Sequence, residues 1–188
     1  MPAIDRRAML ASVGSLIGLA ALPAGALAAV AAPAYLDKPT TMLVTAFADT
    51  LIPKTDTPGA VQAGVPASFD ALMRDWAAPA HRAALLASLK AIDEAAATAT
   101  GKAFTLLTPE QRTTFLSAYD ANQFLSAASG PASPAADYLK LKELVATLYY
   151  LSEPGSTVEL RYEQVPGAWE ASIPLTPETR AWAGANVG

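Results

Sequence analysis

Between residues 40 and 150 the apolar residues fall three and four positions apart, the repeat of helices that bury one face. Leu43, Phe47 and Leu51 share one such face, with Thr40 or Thr41 placed to cap its first turn. Phe69, Leu72, Met73 and Trp76 mark a second stripe, opened by Pro66 in the first turn, where a proline's missing N–H leaves no bond unmade. Pro79 opens a third, carried by Leu85, Leu86, Leu89, Ile92 and Ala96 and stopped by Gly101. Phe115, Leu116 and Tyr119 form a fourth behind Thr108-Pro109-Glu110-Gln111. There Thr108 and Gln111 can cap each other's backbone, a device that contributes about 1 kcal/mol. The fifth begins at Ser133-Pro134, carries Tyr138, Leu141, Leu144, Leu148 and Tyr149, and ends at Glu153-Pro154-Gly155. No run alternates at period two for more than a few positions. The pattern predicts an all-α fold, a small bundle of about five helices.

Three stretches break the repeat. The first helix stops at Pro53, and Lys54-Thr55-Asp56-Thr57-Pro58-Gly59-Ala60 is a cluster of turn formers. Asp56 can accept backbone N–H bonds, Pro58 presets its φ, and Gly59 permits a positive φ. Residues 126–134 are rich in Ser, Ala, Gly and Pro and read as an exposed loop. In the tail, residues 156–188, Leu160, Tyr162, Val165 and Trp169 are mixed with charges, and Pro174, Pro177, Trp182 and Gly184 exclude a long regular element. Such a segment cannot bury its rings within itself. They lie against the bundle or against another protein.

The front of the chain differs again. Arg6-Arg7 is followed by Met9 and Leu10, and no charge then appears before Asp37. The core is apolar but Ala-rich, and Ala26-Leu27-Ala28 has the small-x-small form of a signal-peptidase site. Residues 1–28 resemble a twin-arginine export signal, a route that carries folded proteins and accepts weakly apolar leaders. A general secretion signal or a retained anchor helix is the alternative, since the apolar run is long enough to span a bilayer. Residues 29–39 read as an Ala/Pro linker and residues 40–188 as the helical domain. The implied location is the periplasm.

Composition narrows the chemistry. Charged residues make up 16% and hydrophobic ones 52% of the 188, too apolar for a disordered chain. Net charge is −4 with no basic cluster beyond Arg6-Arg7, which argues against nucleic acid. There is no cysteine, so disulfides, iron–sulfur clusters and CxxCH haem attachment are excluded. The 11 glycines make no GxGxxG or Walker loop, so a nucleotide cofactor has no Rossmann cradle. His81 stands alone, too few for a two-histidine metal set, and reads as a solvated residue. Asp93 and Glu94 read as a solvated face, and Asp70 with Arg74 as a surface ion pair. Asp49 and Asp56, both at the first loop, read as capping groups or as contacts for a partner. No catalytic, cofactor or metal residue is assigned in this chain.

Two motifs carry a family resemblance. Ala48-Asp49-Thr50-Leu51-Ile52-Pro53, Asp56-Thr57-Pro58-Gly59-Ala60 and Ala63-Gly64-Val65-Pro66 form the first. Leu148-Tyr149-Tyr150-Leu151-Ser152-Glu153-Pro154-Gly155, Leu160-Arg161-Tyr162-Glu163 and Val165-Pro166-Gly167-Ala168-Trp169 form the second. Together they resemble the gluconate 2-dehydrogenase subunit 3 family over roughly residues 41–175, with Leu148 in place of an expected glycine and Pro154 an unusual choice. The resemblance implies a small non-catalytic subunit. Its partner would be a periplasmic, FAD-containing large subunit of the glucose–methanol–choline type that oxidises gluconate, sugars or polyols. A cytochrome c subunit often completes such complexes, at the cytoplasmic membrane. The small subunit would bind and stabilise the flavoprotein and escort it through the twin-arginine route. Asp49, Asp56, Pro58, Gly59, Tyr162, Trp169 and Trp182 are the candidate contacts. A stand-alone periplasmic ligand-binding module is the alternative, and a neighbouring flavoprotein gene without a leader of its own would decide against it.

Overall fold

The computed structural model describes residues 33–127, 133–161, 172 and 174–182. The leader residues Arg6, Arg7, Leu10, Ala26 and Ala28, and the tail residues Tyr162 and Trp169, lie outside them. Among the described residues the fold is all-helical, with no strand. The elements are α1 (Lys38–Leu51), α2 (Val65–Asp75), α3 (Pro79–Thr100), a 3-10 turn (Phe104–Leu106), α4 (Pro109–Ala127), α5 (Pro134–Tyr150) and one π-helical turn (Gly155–Glu159). All belong to one compact unit that begins at Ala34.

The predicted stripes face inward. Phe47, Phe69, Met73, Leu89, Ile92, Ala96, Tyr138 and Leu141 are buried, and Leu43, Leu51, Leu72, Leu85, Leu86, Leu144 and Leu148 pack around them. Helix α5 is central, lying along α3 and α4 and meeting α2. Aromatic edges tie the layers together. Tyr138 of α5 meets Tyr119 of α4 at 5.2 Å between ring centres and Phe47 of α1 at 6.4 Å, both edge to face. The Tyr138 hydroxyl donates to Asp120 at 3.1 Å, and Lys142 reaches the same carboxylate oxygen at 2.6 Å. Burial, followed by the Asp120 charge, holds the Tyr138 phenol well above its ordinary value.

The helix ends mostly follow the cap signals. Thr108 and Gln111 form the reciprocal box, at 3.1 and 3.3 Å. Ser133 caps α5 by accepting the Ala136 N–H, and Gly101 ends α3 at φ +74°. The front of α1 departs from expectation. Asp37 is its cap, accepting the Thr40 N–H at 2.9 Å, so Lys38 and Pro39 are helical and not linker. A carboxylate meets the positive helix end better than a hydroxyl does. At the other end of the chain α5 stops at Tyr150, before Glu153-Pro154-Gly155, and α4 runs on to Ala127 into the expected loop.

Three side chains take other roles than their spacing suggests. Trp76 is the C-cap of α2 and 84% exposed, standing outside the buried stripe. It borders a groove of about 560 Å³ between α2, α3 and α5. Asp93 is no free surface charge, since it accepts the Phe104 N–H at 2.8 Å and pins the 3-10 turn to α3. Asp70 does pair with Arg74, at 3.7 Å, but its closer partners are the N–H groups of Tyr35 and Leu36, at 3.0 and 2.7 Å. That segment is held further by Arg82, stacked 4.7 Å from the Tyr35 ring centre.

Candidate functional site: the clasp

The two motifs, about a hundred residues apart in the chain, meet in space. The first begins where α1 ends. Pro53 turns the chain away from the helix, and the loop folds back until the Ala60 N–H donates to the Ile52 carbonyl at 2.9 Å. Gly59 sits where the two arms cross. A Cβ there would lie 2.6 Å from the Lys54 nitrogen and 2.8 Å from the Ile52 oxygen. Gly59 therefore serves close approach and not a positive φ, which among the described residues belongs only to Gly64 and Gly101. Inside the loop the Thr55 N–H donates to the Thr57 carbonyl at 3.1 Å, and the Thr55 hydroxyl to Asp56 at 3.0 Å. That hydroxyl, then backbone N–H, and a smaller attraction from Arg180 hold the Asp56 carboxyl below the ordinary 3.8. Asp56 accepts the Thr55 side-chain hydroxyl as well as the backbone N–H that the sequence suggested.

The second motif supplies the other half. At the end of α5 Tyr149 points inward and its hydroxyl donates to the Pro58 carbonyl at 2.8 Å. Burial raises that phenol above its ordinary value. Gly155 then packs directly on the Tyr149 carbonyl, leaving no room for a side chain. From it the chain makes its π-helical turn, closed by the Leu160 N–H on the Gly155 carbonyl at 3.2 Å. The turn aims Glu159 back at the loop, where the Thr57 hydroxyl donates to it at 2.6 Å. Thr57 is almost fully buried, so this bond satisfies a hydroxyl that water does not reach.

A third segment of chain covers the joint. The Arg161 N–H donates to the Ala181 carbonyl at 2.8 Å, beside a single parallel bridge between Arg161 and Trp182. The Arg161 guanidinium lies 4.3 Å from the Trp182 ring centre. Arg180 donates to the Val158 carbonyl at 2.9 Å and reaches Asp56 at 3.4 Å. Trp182 thus lies against the chain's own turn with 45% of its surface still open. Tyr150, Leu151, Val158 and Leu175 are exposed on the same motif and its covering segment.

The structure brings Asp56, Pro58, Gly59 and Trp182 together and leaves Asp49 apart. Asp49 pairs with Arg112 of α4 at 3.3 Å. Sequence reasoning passed over Thr57, Tyr149 as a hydroxyl donor, Glu159 and Arg180. Thr57 and Tyr149 were present only as members of the motifs, and Glu159 and Arg180 lie outside them, because the pairings of Thr57 with Glu159 and of Asp56 with Arg180 span over a hundred positions. The clasp's polar groups face one another, Thr57 on Glu159, Tyr149 on the Pro58 carbonyl and Arg180 on Asp56. His81 is exposed in the first turn of α3. Among the described residues no three His, Asp or Glu side chains converge as a metal set, and no helix is long and apolar enough to cross a membrane.

Among the described residues the chain is an all-helical module whose two motifs lock together. The chain belongs to the gluconate 2-dehydrogenase subunit 3 family, whose model matches residues 38–167 and so spans both halves of the clasp. It is a small subunit of a dehydrogenase complex. No curated protein and no solved structure matches it.

Proposed function

We propose that this chain is the non-catalytic subunit that binds a FAD-containing dehydrogenase of the glucose–methanol–choline type, stabilises it, and escorts it to the periplasm on its own twin-arginine leader. The clasp carries this reading. It leaves Tyr150, Leu151, Val158 and Trp182 at the surface beside a set of hydrogen bonds, apolar and aromatic side chains of the kind that fill an interface centre. Rigid anchors lose little entropy when a partner covers them. The flavin and the sugar or polyol belong to the large subunit, and a cytochrome c subunit would take the electrons onward to the membrane. Tyr162 and Trp169, outside the described residues, are further candidate contacts by sequence. Replacing Arg6 and Arg7 by lysine in cells that make both proteins tests the escort role. Both subunits should then remain in the cytoplasm. A periplasmic flavoprotein in that strain contradicts the reading.

A further inference from the structure

The segment that leads into α1 is moored to the bundle by a carboxylate. The Tyr35 N–H donates to both oxygens of Asp70 on α2, at 3.0 and 3.2 Å, and the Leu36 N–H donates to one of them at 2.7 Å. Bonds of this kind, with one partner charged, are about twice as strong as neutral ones. The Asp70 side chain is 14% exposed and is held in turn by Arg74 at 3.7 Å. Leu36 is buried in the core, and Arg82 of α3 lies over the Tyr35 ring and donates to its hydroxyl at 3.3 Å. The mooring stands close in sequence to the small-x-small site at Ala26-Leu27-Ala28. Residues 29–34 separate Ala28 from Tyr35, a stretch that reaches at most about 21 Å. Freed from Asp70, the reach runs through residues 29–36 to the α1 cap at Asp37, at most about 28 Å.

We propose that this mooring governs removal of the leader: while Asp70 holds Tyr35 and Leu36, the Ala28–Ala29 bond is cut slowly. The inference rests on reading residues 1–28 as an export leader. A leader peptidase hydrolyses that bond with one water, leaving a carboxylate on Ala28 and an amine on Ala29. It must take the bond in extended chain, with residues on both sides laid along its cleft. A folded domain so few residues away obstructs the cleft. Cutting therefore proceeds through local openings of the mooring, and its rate follows the open population. Opening breaks charge-assisted bonds and draws a leucine out of the core, so that population is small. A route that carries folded proteins delivers the chain with its mooring already closed. Until the cut, the leader holds the exported chain at the membrane.

The purified full chain in detergent micelles, incubated with a leader peptidase and followed by mass spectrometry, tests this. Asp70→Ala should be cut at least about fivefold faster than the parent. A second chain, with roughly six Gly and Ser residues inserted between Ala34 and Tyr35, keeps the mooring and lengthens the reach. It should be cut at least as fast as Asp70→Ala. Hydrogen exchange reads the mooring without the peptidase: the Tyr35 and Leu36 amides should exchange about tenfold faster or more in Asp70→Ala, with the helices still protected. A parent cut as fast as the lengthened chain, or an Asp70→Ala protein cut at the parent's rate, would overturn the mooring's role and leave the leader reading standing. A lengthened chain that is not cut at all would overturn the leader reading, and the proposal with it.

Discussion

The seam between α3 and α5 and the clasp between the loop and the π-helical turn hold one molecule by different means. In the seam Leu89, Ile92 and Ala96 of α3 and Leu141 and Val145 of α5 are buried, and the two helices lie along each other. Burial there scales with apolar area and is nearly indifferent to which aliphatic residue supplies it. In the clasp particular atoms matter as well as burial. The Thr57 hydroxyl must find Glu159, Tyr149 must find the Pro58 carbonyl, and two glycines must let backbone pass backbone. A seam leaves a periodicity in a sequence, and a clasp leaves a motif. The motif is the part that can distinguish one helical bundle from another.

Substitutions should expose this contrast. The largest effect belongs to the core: Phe69→Ala should lower unfolding free energy by about 3–5 kcal/mol, while Phe69→Leu, which keeps most of the volume, costs far less. Denaturant titration reads both. Gly155→Ala should cost about 1–3 kcal/mol although it adds only one methyl group, because backbone must move to admit it. Circular dichroism should retain the five helices, since Gly155 lies beyond α5. If Gly155→Ala melts like the parent, the clasp is looser than described. Smaller still is the coupling between Thr57→Val and Glu159→Gln in a double-mutant cycle, about 1 kcal/mol for a bond at a part-exposed carboxylate.

A pH series separates the buried phenols from the hydrogen-bonded carboxylates. The Tyr138 phenol is raised in the fold, so the unfolded chain ionises first, near 10.0. Stability from this group is complete below that pH and is lost as pH rises beyond it. Tyr138→Phe should flatten the alkaline slope of the melting temperature. Asp37 and Asp56 have the opposite sign. Their hydrogen bonds lower them below 3.8, so their contribution is present above that pH and fades as acid protonates them.

The helices were legible because burial imposes a repeat of three and four on any chain that forms them. The Thr108–Gln111 box and the Gly101 stop were legible because a cap is local. Errors came where a distant group won. Asp93 reads as solvated until the 3-10 turn supplies an unpaired N–H. Trp76 fits the stripe by spacing, yet it falls where α2 has already ended. Gly59 was read as permitting a positive φ, and its actual role, close approach, depends on neighbours across the loop crossing that a local rule does not see. Arg180 and Glu159 could not be placed at all. Their partners sit over a hundred positions away along the chain for Asp56 and Thr57.

The clasp as a docking surface is the claim on which the rest turns. The direct measurement is the flavin absorbance that co-purifies with an affinity-tagged small subunit, taken beside the melting temperature of that subunit alone. Trp182→Ala removes an open ring that lies on Arg161, outside the hydrophobic core. Flavin per small subunit should fall by about tenfold or more, with the melt of the isolated chain nearly unchanged. A lowered melt, with flavin falling only in proportion to folded protein, would make Trp182 part of the chain's own packing and contradict the account.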